Sequence, residues 1–129
     1  MLLTITDNQI AAKLRQRAFN NLRRAVFGMQ NKFGSQPKDL LVGFGPSIRA
    51  CCFEVEQGFK SNFAFGLVKR EGRVFMDITL INQRQLVDCG VREGNIFDPQ
   101  LCTFSDEGFF SFRKEAKDAG RLISVMMLT

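Results

Sequence analysis

Histidine is absent from all 129 residues, and so are tyrosine and tryptophan. Without an imidazole the chain cannot activate a serine or cysteine through a Ser-His or Cys-His pair. Nor can it build from its own residues a metal site that needs a histidine ligand. A general base drawn from this sequence would be Asp, Glu, Lys or a perturbed Cys. No apolar run approaches the ~20 residues of a membrane-spanning helix. Residues 1–5 are too short, and lack the basic start, for a secretory signal. There is also no Cys-x-x-Cys spacing among the cysteines at 51, 52, 89 and 102. That argues against a zinc knuckle or redox pair, and the adjacent Cys51 and Cys52 are poorly placed for a bridge to each other. Free thiols in a reducing compartment are expected, with the cytoplasm as the default.

What is present describes one globular domain spanning residues 1–129, or one piece of such a domain. Hydrophobic residues make up 45% and charged residues 24%, which is enough apolar side chain for a real core and too little charge for a disordered chain. The net charge of +5 suits anionic partners such as phosphate or nucleotides. A solvated basic face is the plainer explanation. Arg15, Arg17, Arg23 and Arg24 cluster on one predicted helix, but no stacking aromatics or reader fold accompany them, so nucleic acid is not the expected partner.

Periodicity gives the elements. Ile10, Leu14, Ala18, Leu22, Val26, Met29 and Phe33 recur at helical spacing and predict one long helix over 7–33. Thr6 and Gln9 fit a capping box at its start, and Gly34 followed by Pro37 ends it. Residues 40–44 read as a buried strand feeding a turn at Gly45-Pro46-Ser47. A short helix is expected over 54–63, and a hairpin from 65–68 to 74–78 around Glu71-Gly72. A second helix over 80–89 stops at Gly90, and a short strand over 95–97 closes at Pro99. Strands are expected at 109–112 and 122–128. The fold class is α+β, a mixed α/β sandwich with the long N-terminal helix packed on a mixed sheet.

Three segments have side chains or backbone suited to chemistry. Gly43 to Ile48 is either a loop whose amides face an anion or a turn that uses glycine for geometry. Cys52 is either a thiol made reactive by a helix start or a buried structural cysteine. Arg113, beside an aromatic run, either holds an anion through paired hydrogen bonds or is solvated or salt-bridged at a strand exit.

In order along the chain, several segments match a single pattern. Gly45-Pro46-Ser47-Ile48 through Cys51-Cys52-Phe53-Glu54-Val55 is similar to Gly-Pro-x-Ile-x-x-Cys-Cys-Tyr-Glu-Val. Phe75-Met76-Asp77-Ile78, then Asn82-Gln83-Arg84-Gln85-Leu86 and Gly90-Val91, resemble Leu-Asp-Leu, Asn-Arg-x-Gln-Leu and Gly-Val. Cys102-Thr103, Phe109-Phe110-Ser111-Phe112-Arg113 and Gly120-Arg121 complete the series. Over about residues 22–129 the chain thus resembles the C-terminal portion of the laccase-domain family, also called polyphenol oxidase or purine nucleoside phosphorylase-type proteins.

The resemblance implies zinc- or copper-dependent chemistry on purine nucleosides: phosphorolysis with phosphate, and adenosine deamination. It implies a metal site of two histidines and a cysteine, all from the half that precedes this region. The family's His-Ala-Gly-Trp-Arg-Gly motif would fall on residues 11–16, where Ala11 stands at the ligand position and only an alanine and Arg15 match. Ser105 replaces a frequent second cysteine, and Phe53 and Phe112 replace tyrosines. No metal ligand is expected in this chain. The substrate-contact candidates are Arg15, Gly45, Pro46, Cys52 and Arg113. Three roles compete: an incomplete nucleoside-metabolising enzyme, a non-catalytic binding or structural relative, and a basic nucleic-acid module. For the first, a partner is expected, either the missing N-terminal half or a second copy of the chain.

Overall fold

The computed structural model describes residues 2–5, 18–58, 65–125 and 127. Among them the elements are β1 (Leu2–Ile5), α1 (Ala18–Phe33), β2 (Leu41–Phe44), β3 (Glu54–Val55), β4 (Leu67–Arg70), β5 (Arg73–Met76), α2 (Ile78–Asp88), β6 (Ile96–Phe97) and α3 (Phe112–Glu115). Helices, parallel pairing and antiparallel pairing all occur, as a mixed α/β fold requires, but the two pairings separate into two sheets. One is parallel in the order β1-β2-β6, and the other antiparallel in the order β3-β5-β4.

The parallel sheet and both longer helices share a core. Leu22 and Val26 from α1 meet Leu40, Val42 and Phe44 around β2, with Leu86 of α2 and Val91 beyond it. Val26, Val42 and Leu86 are fully buried, and each such side chain contributes roughly 1.5–3 kcal/mol through removal from water. The apolar stripe of α1 stops at the half-buried Met29; Phe33, at the helix end, lies 71% exposed. The expected helix start and its Thr6/Gln9 cap lie outside the described residues.

A second core joins Ile48, Phe53, Met76 and Ile81, so α2 serves both clusters from one helix. That helix is fixed at each end. The Asp77 side chain accepts a hydrogen bond from the Leu80 amide at 2.9 Å, satisfying an otherwise orphaned donor. At the other end Val91 N donates to Leu86 O and Gly90 N to Val87 O, the Schellman pattern, with Leu86 and Val91 together in the core. The hairpin between β4 and β5 turns at Glu71 and Gly72, both with positive φ, which is the two-residue turn whose twist matches its strands.

Three expected elements differ. Glu54–Val55 is a strand paired with Phe75 and Val74, not the start of a helix, because β5 offers it a ladder and Val55 packs into the second core. Residues 59–63 of that expected helix lie outside the described residues. The expected strand at 109–112 is instead irregular chain leading into α3. The Ser111 amide donates to the Glu115 carboxylate at 3.2 Å and the Glu115 amide to Ser111 O at 2.9 Å, so local bonding closes a helical turn there. Residues 122–125 and 127 form no strand. Ile123, Val125 and Met127 stand exposed, and no strand among the described residues pairs with them.

Candidate functional site

Strand β2 delivers the chain to Gly45-Pro46-Ser47, and Ser47 locks onto the loop after β6. Ser47 N donates to Leu101 O and Thr103 N to Ser47 O, each at 3.2 Å, forming a parallel bridge between Ser47 and Cys102. The chain then closes one tight turn, with Cys52 N and Phe53 N both donating to Arg49 O at 2.9 and 2.8 Å. Neighbouring residues of a strand point to opposite faces. In this turn Cys51 and Cys52 converge instead, and both reach Cys102. The Cys51 Sγ lies 3.6 Å from the Cys102 Sγ, and the sulfurs of Cys51, Cys52 and Cys102 all lie within 4.8 Å of one another. Although no metal ligand is expected from the sequence, three thiols stand at a spacing that could hold an ion. Sequence spacing hid this, because a parallel bridge joins residues some fifty positions apart.

Arg49 staples the site together. Its guanidinium donates to Asp98 Oδ2 at 2.8 Å and also to Asp98 Oδ1, to the Thr79 hydroxyl at 2.9 Å, and to Leu101 O at 3.2 Å. The paired bonds to one carboxylate are the strong, geometry-specific kind. Burial pushes the Asp98 carboxyl up, but the bonds and charge of Arg49 and the Gln100 amide prevail and hold it below the ordinary range. Nothing in the sequence singled out Arg49, Asp98 or Thr79. Arg49 occupies a variable position of the motif, and its partners lie on distant elements.

Cys52 and Cys102 are shifted in opposite directions. Burial pushes Cys52 up, and the hydrogen bond with Cys51 and negative charge at Cys102 add to this, reaching about 12. Burial also raises Cys102, yet the Ser105 hydroxyl and the backbone amides of Ser105, Phe104 and Arg49 outweigh it and bring the thiol down to about 6. Asp106 shapes that loop by accepting from the Cys102 amide at 2.7 Å.

Of the candidates from sequence, Gly45, Pro46 and Cys52 are half-buried in the segment that carries the thiols. Arg113 is exposed and joins them from α3. It donates to Glu54 O at 3.0 Å and lies over the Phe53 ring, 5.1 Å from its centroid. Arg15 lies outside the described residues. Arg70, unremarked in the sequence, donates to the carbonyls of Ala50 and Cys51 and covers the Phe75 ring at 4.0 Å. No helix among the described residues is long and apolar enough to cross a membrane.

Residues 17–129 match the sequence pattern of the family described as multi-copper polyphenol oxidoreductase laccase. The chain belongs to this laccase-domain family. A relative named purine nucleoside phosphorylase from Borreliella burgdorferi is 30% identical over 106 residues, covering 75% of this chain and 45% of the relative. Another of the same name from Bacteroides thetaiotaomicron is 28% identical over 118 residues, covering 83% of this chain and 43% of the relative. The crystal structure of YlmD from Geobacillus stearothermophilus superposes with a TM-score of 0.65 at 25% identity, covering 72% of this chain and 38% of that one. The chain thus spans under half the length of the relatives it matches.

Proposed function

We propose that this chain is the C-terminal part of a purine nucleoside phosphorylase of the laccase-domain type, supplying one wall of the nucleoside site and not the whole reaction centre. One observation carries the reading. The motif blocks 45–55 and 102–113, separate in sequence and both similar to the family, meet at a single place. In this reading Gly45, Pro46 and Cys52 line the wall, and Arg113 and Arg15 contact phosphate or substrate. Arg113 is exposed, with its guanidinium held by Glu54 and Phe53 in a fixed direction, which suits orientation of an anion.

The family's zinc or copper centre, as the resemblance describes it, takes two histidines and a cysteine. The 129 residues contain no histidine, so these side chains do not complete that centre. Metal-dependent phosphorolysis, and adenosine deamination if it occurs, then require ligands from additional polypeptide. A further feature supports incompleteness. Phe27, Phe33, Phe97, Phe110 and Phe112 are each about half exposed or more, apolar surface that a second segment could cover. The free thiols suit a reducing cytoplasm.

Joining residues 18–129 to the part of the Borreliella burgdorferi relative that this chain does not match tests the proposal. The chimera is expected to release purine base from nucleoside only when phosphate is present, and Arg113→Ala is expected to weaken phosphate use by about tenfold or more. A folded, metal-loaded chimera without phosphorolysis would instead favour a non-catalytic relative.

A further inference from the structure

The thiol cluster differs in its donors from the histidine-based centre that the resemblance implies, being made of cysteines alone. Two sulfurs sharing one ion at ~2.3 Å lie roughly 3.8–4.0 Å apart, depending on whether the ion is tetrahedral or trigonal. One pair, Cys51 and Cys102, lies at 3.6 Å, just inside that separation, and all three sulfurs lie within 4.8 Å of one another. Only small side-chain rotations are needed to bring all three onto one ion. The scaffold is rigid where it must be. The Arg49 turn orders Cys51 and Cys52, the Ser47 bridge holds Cys102, and the Arg49–Asp98 pair fixes the two segments together. The cluster also has access, since Cys102 is buried, Cys52 half-buried and Cys51 exposed.

We propose that Cys51, Cys52 and Cys102 form a trigonal three-thiolate site for a soft d10 cation, with Cu(I) preferred over Zn(II). The donors are all sulfur, which selects soft ions over magnesium, calcium or manganese. No fourth His, Cys, Asp or Glu ligand joins the group among the described residues. Three sulfurs complete a trigonal Cu(I) site by themselves, whereas Zn(II) would need a water or another outside ligand to complete its tetrahedron. The Arg70 guanidinium, bonded to Cys51 O, supplies a neighbouring positive charge against the anionic sulfurs. Each coordinating thiol releases its proton to solvent, and no electron transfer is involved. The occupied site would clamp the 45–53 segment to the 101–106 loop, which also fixes Phe53 beneath Arg113.

The test is an anaerobic titration of the reduced full chain with Cu(I) against a chromophoric Cu(I) chelator, and with Zn(II) against a zinc indicator in parallel. One Cu(I) per chain is expected, with a thiolate-to-metal absorption band and weaker Zn(II) binding. Cys51→Ser, at an exposed position that should not disturb folding, is expected to lose more than the ~10–100-fold that loss of a supporting residue costs a metal site. Cys89→Ser should bind as the parent does. On the unmutated chain, Cu(I) should protect Cys51 and Cys52 from iodoacetamide while Cys89 still reacts. Copper binding that survives Cys51→Ser undiminished, the absence of protection at Cys51, or a Cys51–Cys102 disulfide that persists under reducing conditions would each overturn the site. Zn(II) binding as tightly as Cu(I) would overturn the trigonal assignment. These results do not depend on nucleoside activity and read the metal directly.

Discussion

The Cys102 thiol is lowered from its ordinary value of 9.0 to about 6, and its surroundings explain why. Burial alone would favour the neutral form, but hydrogen bonding from Ser105 and from the backbone of Ser105, Phe104 and Arg49 favours the thiolate. Cys52, a few ångströms away, receives the opposite treatment, with burial and its sulfur neighbours holding its proton in place. In the metal-free, reduced chain, ultraviolet titration of thiolate absorbance should therefore show one cysteine ionising near pH 6, with Cys102→Ser removing that step. Retention of the step in Cys102→Ser would assign it elsewhere. The sign for stability follows from the lowered value. The folded state binds fewer protons than the unfolded state between about 6 and 9.0, so this contribution is complete above 9.0 and disappears as pH falls through 6.

At the scale of elements, the Arg49–Asp98 pair ties the 45–53 turn to the loop after β6, and Thr79 adds the start of α2. Asp98→Asn leaves a largely buried guanidinium without its counter-ion and should cost about 3 kcal/mol in urea unfolding near neutral pH. Because the folded carboxyl is held below its ordinary value of 3.8, the pair's contribution is complete above that value and is lost as pH falls through the lower folded one. The gap between the parent and Asp98→Asn should accordingly narrow in acid; a gap independent of pH would contradict the ion-pair account. A second joint is Gly66, whose carbonyl accepts from Asp77 N at 2.7 Å next to the α2 cap. Its φ is +79°, and an added Cβ would sit 2.5 Å from Ile81 Cγ1. Gly66→Ala should therefore destabilise the fold by roughly 1–3 kcal/mol, measured by thermal unfolding. An unchanged midpoint would mean that the helix and hairpin are less tightly coupled than the contact implies.

Elements with their own local signal were legible in the sequence. The end of α2 at Gly90, the Glu71-Gly72 turn and β2 each rest on turn chemistry or a short apolar run. Glu54–Val55 was not legible, since its strand character comes from β5, some twenty residues away, and the same residues carry no strong period of their own. Ser111 and Glu115 turned an aromatic stretch into a helical turn by bonding each other's backbone. The alternating pattern of 122–128 predicts a strand, but strand character needs a neighbour, and the described residues provide none. The site followed the same rule. Motif resemblance found Gly45, Pro46, Cys52 and Arg113 on one segment and its neighbour, whereas the three-thiol cluster and the Arg49 staple depend on contacts between distant residues.

The whole molecule carries a family signature on a chain that covers less than half of its named relatives. Its exposed phenylalanines leave apolar surface open to solvent among the described residues. Light scattering is expected to show self-association that grows with concentration, and the unmatched part of a relative should suppress it; a monodisperse monomer at high concentration would argue that this apolar surface is tolerated without a cover. The central claim, that this chain is one wall of a nucleoside phosphorylase and not a complete enzyme, is tested most directly by chromatography of purines after incubating the folded chain with adenosine, phosphate and zinc. The account predicts no adenine or inosine above a control without protein. Either product in the presence of the chain alone would contradict it, and would mean that these residues catalyse the reaction without a single histidine.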